Sequence, residues 1–305
     1  MKKIDCHVHI NNPISVEQSA QNFKDMCVRN GLEGVFFMAL AHGSAHPHPT
    51  CNEDALKLKA LMPGSYAFAS LHHERDFVEQ AKEYMANGFS GIKLLEGKPS
   101  LYRRFGYSFE HPRFEPFFAY AEKHGIPLLI HNNDPAYSWD INKATPRAIE
   151  MGWVYDDTIP SHAWYFENLE NVLRRHKGLR VGLAHMGFYS EDLDRAERFM
   201  EMCPNLYMDM TPAMNVLAEM SETPAKAEAF FRKYHDRILF GTDAENDLTG
   251  RAREYNDDKM VAITTFLEGS APREVRGRLI VPLHLDPDML ANIYYNNAMR
   301  FIGEM

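Results

Sequence analysis

What this 305-residue chain lacks narrows its class before any motif is read. Its longest strongly apolar run, GVFFMALA at 34–41, is far too short to cross a bilayer. Two lysines at the start lead into Ile4-Asp5-Cys6-His7 instead of an apolar signal core, so a cytoplasmic location is expected. The four cysteines (Cys6, Cys27, Cys51 and Cys203) form no CxxC pair, which argues against a disulfide framework or a zinc ribbon. Basic runs stop at Arg103-Arg104 and Arg174-Arg175, and the net charge is −9. Nucleic acid and anionic membrane are therefore not expected as partners. Linkers, repeats and low-complexity segments are also missing, so one domain over 1–305 is expected. What remains is a small-molecule enzyme, a binding protein or an interaction module.

What is present is a regular alternation. Nearly continuous apolar segments at 2–9, 34–41, 65–71, 91–95, 127–131, 180–185, 206–210 and 237–242 read as parallel strands covered on both faces. Helical patterns lie between them at 75–86, 114–124, 165–177, 190–202 and 224–235. A last one opens with Asp286 as N-cap and Pro287 at the first helical position. Eight strands alternating with helices predict an α/β fold, a (β/α)8 TIM barrel, with a doubly wound open sheet as the alternative. Connections into the strands are short. Those leaving strands 2, 4, 5 and 8 are long (42–51, 96–113, 132–164 and 243–253), which puts elongated loops on the face where such barrels hold substrate.

Several predicted strands end in an ionisable residue on that face. His7 and His9 end the first, His131 the fifth, His185 the sixth and Asp243 the eighth. In the stretch DCHVH the two histidines are two residues apart, so both imidazoles share a strand face and point into the barrel mouth. On the same alternation Asp5 supports them from a position deeper in the strand, and Cys6 packs with Val8 toward the helices. With His131 and Asp243 the set offers three nitrogens and one carboxylate. That is a sound shell for one divalent ion, zinc first, with manganese, iron or cobalt also accommodated.

The motifs DCHVH, IHN, LAHMG and LFGTD, in that order along the chain, resemble the amidohydrolase superfamily, in particular its amidohydrolase-related branch. That branch also contains aminocarboxymuconate-semialdehyde and aromatic-acid decarboxylases, and the tail IYYNNAMRF at 293–301 is similar to its closing helix. The resemblance implies His7, His9, His131 and Asp243 as metal ligands, with His185 acting on substrate or moving protons. It also places Lys93 of GIKLL where two-metal members carry a carbamylated lysine. In this branch such a lysine is common unmodified, so one metal is expected.

Two catalytic outcomes are compatible with these residues. Metal-activated water, with Asp243 as proton acceptor and His185 polarising the carbonyl, would hydrolyse an amide, ester or lactone of a small organic acid. The same site could instead release CO2 from an aromatic or muconate-type acid as a non-oxidative decarboxylase. A metal-retaining binding protein without turnover is the non-enzymatic reading. Lys93, Arg103 and Trp139 are the substrate-binding candidates: an arginine grips a carboxylate bidentately, and Trp139 could cover an organic ring. A carboxylated small molecule is thus the expected partner, and relatives suggest a homodimer. The loop residues His42, His46, His48 and Cys51 match no zinc spacing and read as an extended rim. His72 and His73 end the third strand, and of two adjacent residues only one can face the mouth.

Overall fold

All eight apolar segments form parallel strands in the computed structural model, which describes residues 1–10, 14–42 and 50–305. They are β1 (Ile4–His9), β2 (Gly34–Met38), β3 (Tyr66–Ser70), β4 (Gly91–Gly97), β5 (Leu128–Asn132), β6 (Val181–Leu183), β7 (Leu206–Asp209) and β8 (Ile238–Leu239). Each pairs with the next in register order. A two-residue strand, β9 (Ala244–Glu245), then pairs with the end of β1. Between β8 and β9, the Cys6 amide donates to Phe240 O (2.9 Å) and the Asp243 amide to His7 O (2.8 Å). These bonds return the sheet to its first strand, and the predicted (β/α)8 barrel is the fold observed.

The strands are largely apolar because both faces are buried. Val35, Phe37, Ala67 and Ile130 face outward into the layer under the helices. Ile4, Phe36, Met38, Phe68, Leu129 and Leu239 fill the interior. Phe301, on the C-terminal helix Asn297–Ile302, joins that interior cluster beside Arg180, which leads into β6. Gly182 leaves the space this plug needs: a Cβ there would meet Leu129 at 2.9 Å and Phe301 at 3.2 Å.

Regular register fails at two places, in β4–β5 between Leu94 and Gly97 and, with more consequence, in β1. The β1–β2 register shifts between Asp5 and Val8. Cys6 therefore packs in the barrel interior with Ile4 and Phe36 and not, as expected, with Val8 under the helices. Asp5 does support its neighbours: its carboxylate accepts the amides of His7 (3.0 Å) and Thr242 (3.1 Å) and the Thr242 hydroxyl (2.6 Å).

Helices lie where the periodicity placed them: Phe77–Ala86, Glu115–His124, His162–Arg175, Leu193–Met202, Pro224–Tyr234 and Pro287–Ala291. Asp286 holds the cap position of the last, but its carboxylate pairs with Arg232 (2.9 Å) and not with the helix amides. Further helices run over Val16–Asn30, Cys51–Leu61, Ala213–Ser221 and Gly250–Glu268, and a hairpin pairs β10 (Arg273–Val275) with β11 (Arg278–Ile280). Cys51, expected in an extended loop, is instead the buried first residue of a helix. His46 and His48 lie outside the described residues. Among the described residues no helix is long and apolar enough to cross a membrane.

Phe301→Ala should leave a cavity in the barrel floor and cost about 3–5 kcal/mol. Denaturant unfolding would show this as a lower midpoint with an unchanged slope.

Candidate metal centre

The shift in β1 brings both imidazoles to the mouth, with His7 Nε2 and His9 Nε2 3.1 Å apart. Asp243 joins them from the β8–β9 connection. It sits at φ 58°, a left-handed conformation that a non-glycine residue adopts only when its surroundings impose it. Its Oδ1 lies 2.9 Å from His9 Nε2 and 3.7 Å from His7 Nε2. Burial opposes the charge on Asp243, but His9, His7 and Lys259 hold it far below the usual carboxylate range. One ligand atom from each of His7, His9 and Asp243 lies within 4.8 Å of the others.

Asp209, at the end of β7, orients this group and was not named from the sequence. It is fully buried, and its Oδ2 stands 2.7 Å from His7 Nδ1. Its Oδ1 accepts the amides of His185 (2.8 Å) and Thr211 (3.0 Å) and the Thr211 hydroxyl (2.7 Å). Burial alone would raise the Asp209 pKa, yet these partners hold it well below the ordinary value. An ionised carboxylate only accepts, so His7 Nδ1 must carry the proton and Nε2 the lone pair. Burial, then the Lys93 ammonium, push the His7 pKa down to about 4, against the pull of Asp209. Lys93 itself, whose Nζ is 3.1 Å from His7 Nε2, is pushed down to about 8 by burial.

The same reasoning follows the chain of contacts to β5. Thr211 Oγ1 lies 2.8 Å from His185 Nδ1 and 2.7 Å from Asp209 Oδ1, so its one hydroxyl proton can go to either. His185 Nε2 stands 3.0 Å from His131 Nδ1, and His131 Nε2, 3.4 Å from the ionised Asp134 Oδ1, carries a proton because that carboxylate only accepts. Burial, then the Lys98 ammonium, push His131 down to about 4; burial also pushes His185 well down. Asp134 is anchored by Lys98 Nζ and the Tyr155 hydroxyl, both at 2.5 Å. Four strand ends thus carry imidazoles and an aspartate, with a lone pair left over at His7 Nε2.

His9, His131, His185 and Asp243 line one cavity of about 730 Å³. Two insertions wall it. The β5 loop brings Tyr137, Arg147 and Trp153, and the region after β9 brings Arg251, Tyr255 and Arg278. Arg103 stands outside this lining. Its guanidinium donates to the carbonyls of Gly152 (3.2 Å) and Val154 (2.9 Å), fixing the turn that carries Trp153. Trp139 packs against Tyr155, His162 and Tyr165, so Trp153 is the tryptophan at the cavity wall. Of the adjacent pair after β3, His73 turns inward: it contacts Glu96 Oε1 (2.9 Å) and the Tyr107 hydroxyl (2.6 Å).

The donor set fits a divalent ion. A buried carboxylate fixing Nδ1 of a histidine, so that Nε2 points at neighbouring ligand atoms, is the arrangement that orients metal-binding imidazoles. His7, His9 and Asp243 converge directly; His131 stands one contact away, turned toward His185 and Asp134.

A parallel barrel with imidazoles and an aspartate converging at the C-terminal strand ends defines the class: barrels that work on small molecules through a bound divalent ion. The chain belongs to the amidohydrolase family, whose model matches residues 4–303. Comparison with curated proteins finds no match. Among solved structures it resembles a probable 2-pyrone-4,6-dicarboxylic acid hydrolase from Acinetobacter baumannii with citric acid bound (13% identity, TM-score 0.61, 99% of this chain and 100% of that one). It also resembles 2,6-dihydroxybenzoate decarboxylase from Rhizobium (15%, 0.62, 100% and 99%). A third is a dihydroxybenzoic acid decarboxylase from Polaromonas with bound manganese and 2-nitroresorcinol (13%, 0.58, 99% and 97%). At these identities the likeness is one of fold.

Two outcomes are expected. Asp209→Asn removes the acceptor that fixes His7, and metal affinity should fall roughly 10–100-fold in a chelator competition. In metal-free protein, His7 and His131 are neutral when folded down to about pH 4 but protonate near 6.5 when unfolded. Across that window the unfolded state binds more protons, so stability must drop as pH falls from 6.5 toward 4. Urea midpoints at pH 7 and 5 would show it.

Proposed function

We propose that this chain is a metal-dependent hydrolase of an amide, ester or lactone in a small carboxylated acid. One observation carries the reading: the convergence of His7, His9 and Asp243 at the head of a cavity whose outer wall is cationic. Arg147, Arg251 and Arg278 come from three separate segments, and none has a side-chain hydrogen bond or ion pair among the described residues. These guanidiniums are exposed at the cavity's edge, where each can grip a carboxylate bidentately.

A divalent ion in this donor set, zinc first, would supply Lewis-acid polarisation and an acidified water. The protein's own groups divide the remaining work. Asp243, ionised and facing the cavity, takes a proton and returns it to the leaving group. His185 presents a neutral imidazole to the substrate oxygen. Thr211 sets which His185 nitrogen carries the proton, because its hydroxyl can turn between Asp209 and His185. The β5 insertion and the helix Gly250–Glu268 limit the water that reaches these groups.

A second reading has its own observation. Trp153, Tyr137, Tyr255 and Phe188 line the same cavity, and such surfaces suit a planar ring whose carboxylate leaves as CO2. The metal-loaded protein should be offered esters and lactones of small dicarboxylic acids beside aromatic and muconate-type acids. Hydrolysis products are expected; CO2 release without hydrolysis would replace the first reading by the second. On whichever substrate turns over, Arg278→Ala with Arg147→Ala should raise KM roughly tenfold or more with little change in kcat.

A further inference from the structure

We propose a second, structural metal site, separate from the cavity, formed by His42, His72 and Glu74. It takes a borderline divalent ion such as zinc and ties the segment after β2 to the segment after β3. Each of the three residues offers a ligand atom within 4.8 Å of the others. None of them lines the cavity.

The independent observation is at His42. Its Nε2 is buried and has no hydrogen-bond partner among the described residues, which is costly for an imidazole nitrogen. The ring cannot be rescued by its aromatic neighbours. It meets His72 edge-on at 5.8 Å, Phe105 at 5.5 Å and His73 at 5.0 Å. His73 has spent both ring nitrogens on Tyr107 and Glu96, and Arg113 clamps it by donating to its carbonyl at 2.7 Å and to the Tyr107 hydroxyl.

Charge favours the same conclusion. Burial and then the neighbouring His73 lower the His42 pKa, with Glu74 pulling the other way and Arg104 adding to the lowering, so the ring is neutral with a lone pair to give. Glu74 is an exposed carboxylate held below its usual value first by its own backbone amide, with the three nearby histidines adding to that. Two imidazoles and a carboxylate are a zinc-type donor set with room for water.

The site has a structural consequence. His42 follows β2 directly and touches Phe105, which packs with Leu40, Leu95 and Leu101; Leu40 and Leu95 line the catalytic cavity. An ion here would hold the wall on that side of the mouth.

Metal-stripped protein reloaded with zinc and desalted tests this by elemental analysis. The wild type should hold two equivalents, His72→Gln with Glu74→Gln one, and His7→Ala with His9→Ala one. All four changes together should leave none. His72 and Glu74 are not buried, so the first pair should fold, and its melting curve in the presence of chelator should match the wild type. A His72→Gln/Glu74→Gln protein that holds as many equivalents as the wild type would overturn the second site. Loss of the His7/His9 equivalent alone would leave it standing, so the two sites fail separately.

Discussion

The contact between Asp209 and His7 is the constraint on which the rest of the centre depends. A fully buried carboxylate is tolerable only when every lone pair has a donor, and Asp209 meets that demand with three elements at once. It takes the His7 ring from β1, the His185 amide from the end of β6, and Thr211 just beyond its own strand. Fixing the proton on His7 Nδ1 turns Nε2 outward. Holding Thr211 fixes His185, and through His185 the ring of His131. One charge thereby sets the orientation of three imidazoles on three strands.

The backbone around these rings is unusual in a consistent way. Asn133, His185, Met186, Phe188 and Asp243 all have positive φ, and all follow directly on β5, β6 or β8. A chain leaving a strand normally continues outward; a left-handed residue turns it back across the mouth. Each such residue costs about 1–3 kcal/mol, and here the hydrogen bonds to Asp209 and to His7 O hold the turns in place. The same turn explains why the eighth strand is split. β8 pairs with β7 below Asp243, β9 pairs with β1 above it, and the aspartate between them is free to face the mouth.

The barrel was legible because buried parallel strands leave continuous apolar runs, and all eight runs are strands. The centre was legible where an apolar run ends in an ionisable residue. That criterion also fits LYMD at 206–209 and would have found Asp209, had it been applied to strand seven. Cys6 was misplaced because a register shift leaves no mark in a two-residue alternation. Helix Gly250–Glu268 was missed because its first half, RAREYNDD, carries little apolar period to read. Arg103 and Trp139 were drawn from the right loops. Which side chain of a loop faces a cavity depends on its turns, however, and the turn at 152–154 chose Trp153.

This division has a physical basis. Ligands that stand at strand ends inherit their positions from the sheet, where every side chain's direction follows from register. The groups that would select a substrate, Arg147, Arg251, Tyr255 and Arg278, stand on insertions whose conformations depend on contacts distant in sequence. On the proposed reading, strand ends determine what kind of chemistry the protein can perform, because the proposed proton acceptor, imidazoles and metal donors are all strand-borne. Insertions determine which acid is presented and at what angle. Hydrolysis and decarboxylation demand nearly the same strand-end groups and differ in which substrate bond lies over them. The choice between the two reactions is thus made by the cationic and aromatic walls, the part of the structure that the pattern of strands constrains least.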